Sequence, residues 1–196
     1  MLLIGMSAIA QTAQGEEILK SALDQIVEIL KDPRYADPTR KEEQGEHIWK
    51  VVQIYFDFIE IAKRALAINW RKFTPQERRE FTEVFSELLK HTYLARLQSE
   101  YKNEKIVYLG QKKKKKNRIV VMTKVLRENV ETPVDYSMRM RNDTWRVYDV
   151  KVEGVSLVKN YRTEFKAILD KETPAQLIER LKKKNAAQDK SGETSN

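Results

Sequence analysis

The sequence predicts an α+β fold in which helices pack around a twisted, mainly antiparallel sheet of about four strands. Three observations carry this. Apolar residues recur at helical spacing through the first half of the chain, they alternate at strand spacing from Lys105 to Val152, and helical spacing returns after Leu157. Runs of helices followed by runs of strands argue for a sheet covered by helices rather than alternating βαβ units.

The elements follow in order. Glu16–Lys31 carries Ile18, Leu19, Ala22, Leu23, Ile26, Ile29 and Leu30 as a broad apolar stripe and stops at Asp32-Pro33. A segment from about Thr39 to Ile59 holds Ile48, Trp49, Val51, Val52, Ile54, Tyr55, Phe56 and Phe58, too much apolar surface for burial on one side only. A shorter helical stretch covers Ile61–Ile68. Thr74-Pro75-Gln76-Glu77 opens the next helix, with threonine as N-cap, proline in the first turn and glutamate three residues on. Thr173-Pro174-Ala175-Gln176 repeats the device before the last helix.

Lys105–Leu109 and Arg118–Leu126 read as strands flanking a lysine-rich hairpin loop. In Pro133–Arg141, Val134, Tyr136, Met138 and Met140 fall on one face. Asn142-Asp143 supplies turn residues before Trp145–Val152. Glu153-Gly154-Val155-Ser156 then reads as a strand-to-helix turn holding an apolar residue where a polar one is usual. After Lys184 the composition is that of a disordered tail, residues 185–196.

With 196 residues the chain is long enough for one core with room for a cavity. Residues 1–13 are expected to be a secretory signal peptide: Leu2–Ile9 is apolar and Ala8-Ile9-Ala10 fits a small-x-small cleavage pattern. The missing basic n-region suggests a start codon placed late; a buried N-terminal helix is the alternative. No cysteine follows to carry a lipid anchor. The expectation is a soluble exported protein with one domain over residues 14–184.

The formal charge of +8 invites a nucleic-acid reading, but five of those charges are Lys112–Lys116 and +3 remains without them. No interleaved aromatic array of the kind single-strand binders use accompanies them. Solvated loop charge is the default reading of the run, and attraction to an anionic membrane surface fits it better than nucleic acid does.

Catalytic chemistry is sparse. The chain has no cysteine, and His47 and His91 each lack a second histidine at i+3 or i+4. No nucleophile elbow or phosphate-cradling loop occurs. Asp57, between two phenylalanines, reads as an N-cap or the partner of an arginine. Asp149 and Glu153 flank a strand end without a partner base or nucleophile. The chain is not read as an enzyme.

"WRVYDVKVEGVSLVKNYRTEF" and its following amphipathic helix resemble the C-terminal signature of the toluene-tolerance family. These are the periplasmic lipid carriers of the Mla (maintenance of lipid asymmetry) pathway, auxiliary to an ABC transporter. "FDFIEIAKRALAINWRKFTPQERREFTEVFSELLKHTY", Phe56–Tyr93, is similar to a second stretch of the family, and "PVDYSM" to a third. The likeness spans about Glu16–Lys184. One departure is Ala67, where many relatives have glycine after Ala-Leu.

The resemblance implies a sheet and helices enclosing an apolar cavity for phospholipid acyl chains, with no cofactor besides that lipid. It implies partners at both membranes of a Gram-negative envelope: an outer-membrane lipoprotein–porin complex and an inner-membrane ring of MCE-domain subunits on an ABC transporter. It implies a periplasmic monomer that moves phospholipid between them and maintains outer-membrane lipid asymmetry. On this reading Val134, Tyr136, Met138 and Met140 face the cavity, Val155 stands at its mouth and Leu66 lies across from it. The competing class is an exported adaptor with a solid core and only protein partners. An enzyme on a related scaffold would need an acid–base pair lining the cavity.

Overall fold

The computed structural model describes the backbone of residues 5–115 and 117–193, and within these the side chains of 15–115 and 117–188. Its helices are α1 (Gly5–Lys31), α2 (Lys41–Tyr55), α3 (Phe58–Leu66), α4 (Pro75–Glu100), α5 (Leu157–Leu169) and α6 (Pro174–Glu193). Its strands are β1 (Lys105–Lys115), β2 (Arg118–Arg127), β3 (Val130–Arg141), β4 (Thr144–Val152) and the two-residue β5 (Val155–Ser156). They form one antiparallel sheet in the order β1-β2-β3-β4-β5. Four long strands and the α+β class agree with the sequence.

Local chemistry sets the boundaries. Thr74 Oγ1 accepts from the Glu77 amide at 3.2 Å while Glu77 Oε2 accepts from the Thr74 amide at 2.8 Å, so both arms of the capping box form. At α6, Thr173 and Gln176 exchange the same pair of bonds. Ser156 caps α5 by accepting from the Lys159 amide at 3.0 Å. Its hydroxyl donates to Asp149, whose other oxygen accepts from the Val158 amide. Asp149 is therefore a fastening between β4 and α5.

The structure departs from the sequence reading in four places. The helical segment expected to run from Thr39 to Ile59 breaks at Phe56, which is extended and forms a parallel bridge with Val147 of β4. Asp57 then donates its amide to the Val147 carbonyl at 2.8 Å and caps α3 through its carboxylate. Closing the open edge of β4 outweighs helix continuity here. Second, the lysine run is strand, not loop: Lys112, Lys113 and Lys115 pair with Val120, Ile119 and Arg118. Residue 116 lies outside the described residues. Lysine on an edge strand such as β1 discourages pairing with another chain, which suits strand as well as loop.

Third, Val155 is not in the turn. Glu153 (φ 50) and Gly154 (φ 81) form a two-residue loop of the type I′ kind, and Val155 pairs with Val152 across it. Fourth, α6 continues through the stretch expected to be disordered. Asn185 donates from Nδ2 to the Val84 carbonyl of α4 at 3.0 Å, and Leu177, Ile178 and Leu181 anchor the preceding turns. A helix so nucleated propagates easily through Ala, Gln and Lys. Residues 194–196 lie outside the described residues. Of the expected leader, residues 1–4 lie outside them too, and 5–13 are described as backbone in α1.

Three apolar bodies result, the smallest of them Ile26, Ile48 and Val51 where α1 meets α2. A helical core joins α3, α4, α5 and α6 around Phe73, Phe81, Phe85, Tyr161 and Phe165. Phe81–Phe165, Phe85–Tyr161 and Phe85–Phe165 meet edge-to-face with ring centroids 4.9–5.4 Å apart, the arrangement the ring quadrupole favours. The second body lies on the other side of the chain, between one face of the sheet and α1.

Candidate functional site

Cross-strand partners share a face of a sheet, and alternate residues along a strand face oppositely. Following partners across the sheet therefore gives rows. One runs Ile119–Met138–Val147, the next Val121–Tyr136–Val150, the third Tyr108–Thr123–Val134–Val152–Val155. All lie on the face that α1 covers with Leu19 and Leu23. The upper rows are closed: Ile119, Val121 and Met138 have no exposed surface. The third row opens outward, from Val134 at 7% exposure to Val152 at 45% and Val155 at 67%.

Polar groups on this face are few. Thr123 satisfies its hydroxyl by donating to the Val134 carbonyl at 2.8 Å. Burial pushes the Tyr136 phenol up to about 12. Burial first, then the Asp24 carboxylate, raises the Tyr108 phenol as well. The Tyr108 hydroxyl and Gln111 Oε1 are buried without a hydrogen-bond partner. Gln111 also lines a groove of about 290 Å³ between α1 and β1, together with Glu16, Glu17 and Lys20. At the start of the described side chains Gly15 lies against the sheet so closely that a Cβ there would meet Ile119 Cδ1 at 2.2 Å.

The structure brings together Val134, Tyr136 and Met138 in this cluster, with Met140, opposite Trp145, at its edge. Val155 occupies the exposed end of the same face. Leu66 lies elsewhere, 1% exposed within the helical core. The sequence reading left out Ile119, Val121, Trp145 and Val147, as well as Leu19 and Leu23 of α1. Alternation in "RIVVMTKVL" and "TWRVYDV" carries the signal for the strand residues; the helical stripe carries it for the other two.

The face presents aliphatic, methionine and tyrosine side chains, a chemistry of burial rather than of bond making. Among the described residues no group of three or more acidic or histidine side chains could hold a metal ion. Nor is any helix there long and apolar enough to cross a membrane.

A family model for the MlaC protein matches residues 20–183. The chain belongs to the MlaC family. That span runs from within α1 to within α6 and takes in the whole helical core and the sheet face, except Ile18 and Leu19 just before it. Among solved structures, a phospholipid-binding protein from Ralstonia solanacearum, determined in complex with a phospholipid, superposes with a TM-score of 0.77. It is 22% identical, and the alignment covers 89% of this chain and 98% of that one. At such identity the likeness speaks for the fold: that structure shares this chain's α+β architecture. No curated protein sequence matches this chain.

Proposed function

We propose that the protein is a soluble periplasmic carrier that binds phospholipid acyl chains on the inner face of its sheet and moves lipid between the two membranes. The observation that carries this reading is the continuous apolar face through Ile119, Met138, Tyr136 and Val134, closed by one helix rather than by the aromatic core. Membership of the MlaC family and the phospholipid held by the Ralstonia relative support it.

The physical argument concerns transfer. A diacyl lipid in water exposes two chains of roughly 14 methylenes, at ~0.8 kcal/mol each, a barrier of roughly 20 kcal/mol. A carrier must offer an equivalent apolar environment without exceeding the membrane by much. Shape-tolerant aliphatic and methionine side chains supply that. In the geometry described, the α1–β1 groove of about 290 Å³ is at the lower end of small-ligand pockets. Acyl chains are therefore accommodated by movement of α1 from the sheet, with the exposed Val152–Val155 end as the mouth. The bound phospholipid is a ligand, no cofactor is required and no reaction is catalysed.

The wider reading follows from the family. Residues 1–13 act as the leader and residues 14–184 as one lipid-binding domain. Lipid passes between an outer-membrane lipoprotein–porin complex and an inner-membrane MCE-domain ring on its ABC transporter, which maintains outer-membrane asymmetry. The deciding experiment is mass spectrometry on gently purified, then denatured, protein. Near one diacyl phospholipid per chain is expected. A blank sinks the carrier in favour of an adaptor with protein partners alone, and a small polar metabolite points to an enzyme.

A further inference from the structure

The end of the β1–β2 hairpin concentrates positive charge that the fold does not use. Lys112, Lys113, Lys114, Lys115, Arg118 and Arg146 have no ion-pair partner among the described residues, whereas Arg139 in the same end of the sheet is engaged by Asp57 and Glu60. All four lysines are exposed. Lys115 pairs with Arg118, Arg118 with Arg139 and Arg139 with Arg146, so one basic row crosses the four long strands. The register shift between Lys113 and Lys115 leaves Lys114 bulged, while Lys112 and Lys113 alternate between the two faces. Charge is thus displayed on both faces and along the free edge of β1. Asp143 of the β3–β4 turn, and Glu16 and Glu17 beside the α1–β1 groove, do not balance it.

We infer that this hairpin end is a docking surface for an anionic phospholipid bilayer. Among the described residues of the tip, Lys112–Lys115 and Arg118, none is aromatic and none is an apolar anchor, the features of a specific protein or nucleic-acid epitope. It is also built of lysine, a point charge on a flexible stem, rather than of arginine forks that read fixed geometry. Such a surface suits a fluid array of phosphates whose positions adjust to it, at about one basic residue's increment of attraction per lysine. Lys112 directly follows Gln111, so docking brings the α1–β1 groove to the level of the headgroups. The inference stands on charge and geometry alone and does not require that the sheet face hold lipid.

The test is co-sedimentation of the full chain with vesicles of phosphatidylcholine alone and of phosphatidylcholine mixed with phosphatidylglycerol. Binding to the mixed vesicles should be stronger by about a hundredfold. It should vanish in 1 M salt, where screening shortens to about 3 Å. The K112Q/K113Q/K114Q/K115Q variant should lose most of that preference. A K50Q/K63Q/K159Q/K183Q variant of the same net charge should retain it, and circular dichroism should show both folded. If the tip variant melts early, K112Q/K115Q with intermediate loss serves in its place. The inference is overturned if the wild type does not distinguish the vesicles, or if both charge variants weaken equally. It is also overturned if the wild type ignores vesicles yet binds an acidic protein through these lysines. Co-purified lipid, measured on the same samples, reports separately on the sheet face.

Discussion

Val155 sits opposite Val152 across a two-residue turn, at the exposed end of a row that begins in the core at Val134. An apolar pair left 67% and 45% exposed contributes little to folding, so its chemistry can be changed without unfolding the chain. Val155→Glu should shift stability by no more than about 0.5 kcal/mol. It should nevertheless lower the phospholipid recovered per chain, measured by mass spectrometry after denaturation. Val134→Asp, at 7% exposure, should lower both. If folded Val155→Glu and Val134→Asp proteins retain wild-type lipid, this face is not the binding surface.

Ala67 ends α3 with φ 50 and ψ −121, the first central position of a type II′ turn and a region where glycine is at home. Its Cβ is strained there, so Ala67→Gly should stabilise the protein by about 1 kcal/mol despite glycine's greater freedom in the unfolded chain. Ala67→Val should destabilise it by more. Urea denaturation midpoints of the three proteins check the order. An Ala67→Gly midpoint below the wild type would mean that the turn relaxes without strain.

Much of this architecture is legible because it is periodic. Alternation in Pro133–Arg141 puts Val134, Tyr136 and Met138 on one face, and the Thr-Pro starts mark α4 and α6. What was not legible depends on partners distant in sequence. Phe56 leaves its helix only because β4 has an edge to close at Val147. Leu66 has the same apolar character as Val134, yet helix packing rather than alternation assigns it to the aromatic core. Val155 reads as a turn residue until Glu153 and Gly154 are seen to complete the turn by themselves. The lysine run suggests a loop by composition, although its strand conformation comes from pairing with Arg118, Ile119 and Val120.

Arg139 is held from two sides by acids of the α2–α3 junction. Its Nη1 donates to Glu60, and its Nε lies 3.3 Å from Asp57 Oδ2. Asp57 and Glu60 are both buried. Removing the guanidinium leaves Glu60 with Arg64 and Asp57 with Arg141 at 3.8 Å as their remaining partners, so Arg139→Met should cost about 2–3 kcal/mol. Adding Glu60→Gln should recover part of the loss, because one buried negative charge disappears; Arg64, which also pairs with Glu60, loses its partner in that step. A double-mutant cycle by chemical denaturation measures the coupling. Additive effects would show that Arg139 and Glu60 do not stabilise each other.

Tyr136 makes stability fall in strong alkali. Its phenol ionises near 10 when unfolded and is pushed up to about 12 by burial in the sheet cluster. The neutral form is therefore favoured by folding. The stabilisation is fully present below pH 10 and is lost as pH rises towards about 12, because the unfolded chain gives up this proton first. The difference corresponds to roughly 3 kcal/mol. Tyr108 and Tyr161, also raised chiefly by burial, add to the same trend. Tyr136→Phe should leave stability within about 1 kcal/mol below pH 10, since it removes a hydroxyl from apolar surroundings. Above pH 10 its stability should fall less steeply than that of the wild type. Urea unfolding at pH 9, 10 and 11, with phenolate absorbance followed in parallel, measures both slopes. Equal slopes would mean that the Tyr136 hydroxyl reaches water in the folded protein and that the upper rows of the sheet face are already open.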